Sequence, residues 1–84
     1  MPNGLYQYVY ILESLTQKGR HYTGTTSNLE SRLYKHNSGQ VPHTSKFAPW
    51  SVQTVIAFTN KNRALAFEKY LKSPSGRAFA KKRL

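Results

Sequence analysis

Eighty-four residues carry thirteen Lys and Arg against three acids, all glutamate, for a formal charge of +10; so lopsided a balance makes a polyanion, nucleic acid before membrane, the leading partner class. The absence of cysteine excludes a disulfide framework and a thiolate zinc site. With no run approaching eighteen apolar residues and no basic-then-apolar opening segment, a soluble cytoplasmic protein is expected, its residues 1–84 forming one domain.

In chain order, residues 1–4 are polar and without periodicity. Tyr6, Tyr8, Tyr10 and Leu12 alternate with Gln7, Val9 and Ile11, and the aromatic and β-branched content predicts a strand covered on both faces near its middle. Thr16 to Gly19 supply a turn in which Gly19 can take a positive φ. Arg20 to Thr25 returns as a second strand. Gly24, near its end, marks either a strand terminus or a place where a ligand or a neighbouring element approaches the backbone closely.

Ser27 followed three residues later by Glu30 reads as a capping box, so a helix is expected from about Asn28 to Asn37. At 100° per residue Leu29, Leu33, Arg32 and His36 share one side, with Arg32 and His36 at the edge of the buried stripe. Residues 38–49 form a polar, Pro-containing loop. Trp50 to Thr59 is a third strand with Trp50, Val52, Ile56 and Phe58 on one face. Asn60 caps a helix over Lys61 to Lys72, and Ser73-Pro74 stops it and starts a short basic helix around Ala78 and Phe79. The order ββαβαα indicates an α+β fold, a small three-stranded antiparallel or mixed sheet flanked by helices.

Several residues on this frame can carry chemistry. Glu68 lies within the apolar stripe of Ala64, Phe67 and Leu71, where a carboxylate must be paired or bound to a cation. It reads either as half of a helix ion pair with a lysine or as a ligand for a hard divalent ion. Arg32 offers the planar, permanently charged donor set that suits phosphate, and His36 one turn later can donate to a phosphate oxygen or move a proton. Tyr10 and Tyr22 are core residues or, if their hydroxyls share a polar cleft, groups that position an attacking water. Either would be a costly base: from a pKa near 10, ionisation at pH 7 costs about 4 kcal/mol.

The joint pattern of Tyr8-Val9-Tyr10, Tyr22-Thr23-Gly24, Arg32, His36 and Glu68 resembles the GIY-YIG nuclease superfamily, in particular its small single-domain members, from about Tyr6 to Lys82. The resemblance implies a metal-dependent endonuclease that hydrolyses phosphodiester bonds in structured, damaged or weakly selected DNA, with RNA as a further substrate. It implies Tyr10, Tyr22, Arg32, His36 and Glu68 as the catalytic set, Gly24 as the motif glycine, and one Mg²⁺ or Mn²⁺ on Glu68. Backbone contacts are expected from Arg32, Lys46, Lys69, Lys72, Arg77, Lys81 and Lys82, and a partner protein is expected to supply specificity.

This sequence departs from the family pattern at three places. Tyr8-Val9 stand for Gly-Ile, Thr23 stands for isoleucine, and no asparagine follows Asn62, whereas many members carry one at the C-terminal edge of the site. The alternative reading is a non-catalytic nucleic-acid-binding module on the same fold.

Overall fold

Residues 5–84 are described in a computed structural model; the unpatterned start expected at residues 1–4 lies outside them. Among the described residues the elements run β1 (Gln7–Ser14), β2 (His21–Thr26), α1 (Leu29–Asn37), α2 (Pro42–Ser45), β3 (Trp50–Phe58), α3 (Lys61–Leu71) and α4 (Pro74–Arg83). The sheet order is β2-β1-β3, and both pairings are antiparallel. The expected strand-and-helix order is therefore present, with one helix added in the stretch read as loop.

β1 is the central strand, and its aromatic and aliphatic run has no solvent-facing side: Tyr8, Val9, Tyr10, Ile11 and Leu12 are all buried. On one face Val9 and Ile11 pack on Ala64 and Leu71 of α3, with Phe58, Phe67, Ala80 and Leu84 around them. On the other, Tyr10, Leu12 and Trp50 pack with Tyr22, Leu29, Leu33, Phe47 and Val55. Helices α3 and α4 thus cover one face, and α1 with the segment through α2 covers the other.

The β1–β2 turn closes as its sequence predicts. Gly19 takes φ +87°, a left-handed value open to glycine at little cost. The buried Ser14 hydroxyl accepts from the Thr16 and Gln17 backbone N–H groups and donates to the Phe47 carbonyl at 2.6 Å, tying the hairpin to the segment after α2.

Four local expectations need correction. The cap of α1 is Asn28, whose side chain accepts from the Ser31 N–H; Asn is as good a cap as Ser and lies one residue nearer the first apolar turn. Residues 38–49 hold the short helix α2, started by Pro42 at its first position. In β3, Ile11 pairs with Thr54 but Leu12 with Val52, so Gln53 is an extra residue. A one-residue irregularity flips the faces, leaving Trp50 and Val52 on the Tyr10 side while Ile56 and Phe58 lie on the Val9 side. The inner face of α4 is Gly76, Ala80 and Leu84; Ala78 is exposed, and Phe79 meets Phe67 edge-on and Tyr70 at a tilt at its rim.

Asn60 and Ser73 cap α3 and α4 as expected, their side chains accepting from the Arg63 and Gly76 N–H groups. Gly76 is also where the two helices touch: a Cβ there would be driven into the Tyr70 carbonyl and the Leu71 backbone. Backbone atoms cannot rotate away as a side chain can. Gly76→Ala is therefore expected to cost about 3 kcal/mol, the upper end for overpacking, whereas Ser75→Ala, on the exposed side, leaves the urea midpoint near wild type. Equal midpoints for the two variants would refute the close contact.

Candidate active site

Tyr10 and Gly24 are directly opposed in the β1–β2 pairing, and the missing side chain of one makes room for the ring of the other. A Cβ at Gly24 would sit 2.5 Å from the Tyr10 hydroxyl oxygen and 2.6 Å from its Cζ. The neighbouring element that needs this glycine is thus the tyrosine of its own hairpin. Lying across β2, the Tyr10 ring points its hydroxyl toward α1.

There it meets His36. The Tyr10 hydroxyl is 3.0 Å from His36 Nε2, and His36 Nδ1 is 2.8 Å from the Thr44 hydroxyl of α2. His36 is fully buried, deeper than the stripe-edge position its helical spacing indicated, because α2 folds over the open side of α1. Burial, and then the neighbouring Arg32 charge, hold its pKa below the ordinary histidine value. The ring is neutral at physiological pH.

Arg32 stands one turn earlier on α1, half-buried, with its guanidinium near enough to Tyr10 and Tyr22 to interact with both hydroxyls. Burial pushes the Tyr10 pKa above 10, and the Arg32 hydrogen bond only partly offsets it. Tyr10 is therefore protonated at rest. Tyr22 completes the cluster, its ring centroid 4.9 Å from His36 and 6.4 Å from Tyr10.

Glu68 reaches this group from α3. Its charge is felt at Tyr10, and its Oε2 accepts from Lys72 Nζ at 3.0 Å. The same ammonium lies 5.8 Å from the centre of the Tyr22 ring. Of the two readings of Glu68, the helix ion pair is present. Among the described residues no group of three or more His, Cys, Asp or Glu is arranged to hold a metal ion, and Oε1 of Glu68 makes no hydrogen bond.

Of the residues read as catalytic, Tyr10, Tyr22, Arg32 and His36 come together from β1, β2 and α1, while Glu68 on α3 holds Lys72 and acts on Tyr10 through its charge. The basic residues divide. Lys72, Arg77 and Lys81 line an open groove of about 1140 Å³ that Tyr22 shares, whereas Lys46, Lys69 and Lys82 lie on the surface outside it. Two cationic groove residues escaped the sequence reading, Lys18 and Arg20 of the hairpin. A turn flanked by cations was the available signal. Thr44 was missed as well, and nothing in a short polar segment marks one hydroxyl as the partner of a histidine eight residues away.

Residues 6–83 match the family of GIY-YIG catalytic domains. Among curated proteins, the chain is 38% identical over 73 residues to the structure-specific endonuclease subunit SLX1 of Debaryomyces hansenii; the alignment covers 79% of this chain but 21% of that protein's length. It is 41% identical over 66 residues to a UPF0213 protein of Oceanobacillus iheyensis, covering 77% of this chain and 74% of the relative. A UPF0213 protein of Halalkalibacterium halodurans is 37% identical over 71 residues, 83% and 73% of the two chains.

Two outcomes follow from the geometry of the buried cluster. Gly24→Ala is expected to lower stability by about 1–3 kcal/mol, read as a urea midpoint, because the added methyl displaces the Tyr10 ring; an unchanged midpoint would show that the ring has room to move. The second concerns pH. Because folding depresses the His36 pKa, the unfolded chain takes up a proton there that the folded chain does not, so stability is full above about pH 6.5 and falls below it. The urea midpoint should be lower at pH 5.5 than at pH 7.5, and His36→Gln should shrink that difference; an equal difference in the variant would assign the acid sensitivity elsewhere.

Proposed function

The chain belongs to the GIY-YIG nuclease superfamily, and from that premise we propose that the Tyr10, Arg32 and His36 cluster hydrolyses phosphodiester bonds in DNA, with Glu68 as the metal-holding carboxylate. The observation that carries the reading is the Tyr10–His36 hydrogen bond at 3.0 Å beneath Arg32. It joins a hydroxyl proton, a neutral acceptor and a phosphate-binding cation in one buried place.

The proton chemistry follows from that arrangement. A phosphate on the free donors of Arg32 places its phosphorus beside the Tyr10 hydroxyl. Water attacks phosphorus, its proton passes to the Tyr10 oxygen, and Tyr10's own proton moves to His36 Nε2. The bond to the leaving oxygen breaks and that oxygen takes a proton from solvent, while His36 returns its proton to Tyr10 as the Tyr10 oxygen releases the one taken from water to solvent. No free tyrosinate forms, which avoids an ionisation costing more than about 4 kcal/mol. Arg32 stabilises the charge that gathers on the phosphate. Tyr22, half-buried on the groove side, packs against His36 and holds the wall of the site.

The GIY-YIG family generally uses a divalent metal, and the donor set here suits a hard ion held by one carboxylate, with water and substrate phosphate as its other ligands. Glu68 would hold it through Oε1. When bound, such an ion polarises a phosphate oxygen and lowers the pKa of its water.

The groove supports the choice of a polyanion. Lys18, Arg20, Lys72, Arg77 and Lys81 line it, and neutralised phosphates would make binding fall with salt at a slope of about −0.9 per contact on duplex DNA. The Debaryomyces hansenii relative is named a structure-specific endonuclease subunit; we carry over from it a preference for structured DNA and dependence on a partner for selection. A second reading has its own observation. Lys72 already neutralises Glu68, the state expected of a binding module without turnover.

Cleavage separates the two readings. Wild type with Mg²⁺ or Mn²⁺ should nick supercoiled, single-stranded or branched DNA, and Glu68→Ala and Arg32→Ala should each lose about 10²-fold or more in rate, with Glu68→Ala still binding DNA at low salt. A wild type that cuts none of the three substrates at high protein concentration leaves the binding module as the answer.

A further inference from the structure

Resting on the proton path just described, we propose that Thr44 is a positioning residue that fixes His36 as the Nδ1–H tautomer and so aims the Nε2 lone pair at Tyr10. The assignment comes from matching donors to acceptors among the buried side chains Tyr10, His36 and Thr44. Tyr10 has one proton to give, and Arg32 has only donors. Among the described residues the acceptor within reach of that proton is His36 Nε2, at 3.0 Å. A neutral ring whose Nε2 accepts must carry its hydrogen on Nδ1.

Nδ1 lies 2.8 Å from the Thr44 hydroxyl oxygen, which accepts it. The Thr44 proton then continues to the Val41 carbonyl at 3.2 Å. Every proton in the series Tyr10, His36, Thr44, Val41 has a place. Reversing the series would leave the Tyr10 proton without an acceptor, and a buried donor left unmade costs about 1–3 kcal/mol.

Thr44 is held for this task. It is 1% exposed, its backbone N–H donates to Val41 within the α2 turn, and its carbonyl accepts from the Trp50 indole at 2.9 Å. The hydroxyl cannot swing to another partner without breaking that frame. In the opposite tautomer Nε2 would carry hydrogen and could not accept the proton that Tyr10 must pass on. The tautomer therefore decides whether the Tyr10–His36 pair can act as a proton sink.

The test reads the ring nitrogens of His36 by ¹⁵N NMR in the whole protein at pH 7.5, with His36→Gln for assignment, and compares wild type, Thr44→Ser and Thr44→Val. Wild type and Thr44→Ser should show a protonated Nδ1 and a bare Nε2, and Thr44→Val a shift toward the reverse. DNA cleavage by Thr44→Val should fall about 10²-fold, with DNA binding kept and the rate restored in Thr44→Ser. A wild-type ring protonated at Nε2, or a tautomer unmoved in Thr44→Val, overturns the proposal. The wild-type spectrum decides it even if Thr44→Val does not fold, and a protein that never cleaves DNA removes the nuclease reading without touching the tautomer result.

Discussion

A buried hydrogen bond between Tyr10 and His36 is the contact on which the site depends, because it joins the central strand to α1 across 26 residues of chain. It exists only because three separate demands are met. Gly24 leaves space for the ring, Asn28 starts α1 in the phase that turns Arg32 and His36 inward, and α2 seals the far side of the imidazole. Burying polar groups is costly unless they are matched. Among the described residues no buried side-chain nitrogen or oxygen lacks a partner.

Desolvation gives the cluster its resting character. It raises the Tyr10 pKa and lowers that of His36, so both are neutral beside the permanently charged Arg32. A neutral pair under a cation binds an anion without self-neutralisation. Were either group ionised at rest, the cluster would hold a tyrosinate–arginine pair or a repelling imidazolium–arginine pair. Glu68 stands apart with Lys72, half-exposed on the lysine side. An i,i+4 pair of that kind is worth roughly 0.3–0.5 kcal/mol, little enough for a divalent ion or a phosphate to separate the partners.

Much of this architecture was legible in the sequence, because the signals that specify it are local. The apolar run of β1, the Gly19 turn, and the caps Asn60 and Ser73 act within three or four residues of themselves, and each appears where its chemistry requires. The helical spacing of Arg32 and His36 placed them on one side of α1, and Glu68 stood out as an acid in an apolar stripe. Where two local signals competed, the structure chose between them. Ser27 and Asn28 are adjacent caps, and Asn28 starts the helix; Gln53 adds one residue to β3 and exchanges its faces.

The sequence by itself determined a basic chain with the strand and helix order of an α+β domain, and its resemblance to the GIY-YIG family is matched over residues 6–83. Only the tertiary structure decided how deep His36 lies, which hydroxyl its second nitrogen meets, why position 24 is glycine, and that Lys72 holds Glu68. The physical reason is one of range. Turns and caps are satisfied by residues a few positions away, whereas burial and the pairing of buried polar groups depend on elements that meet only when the sheet and helices have packed.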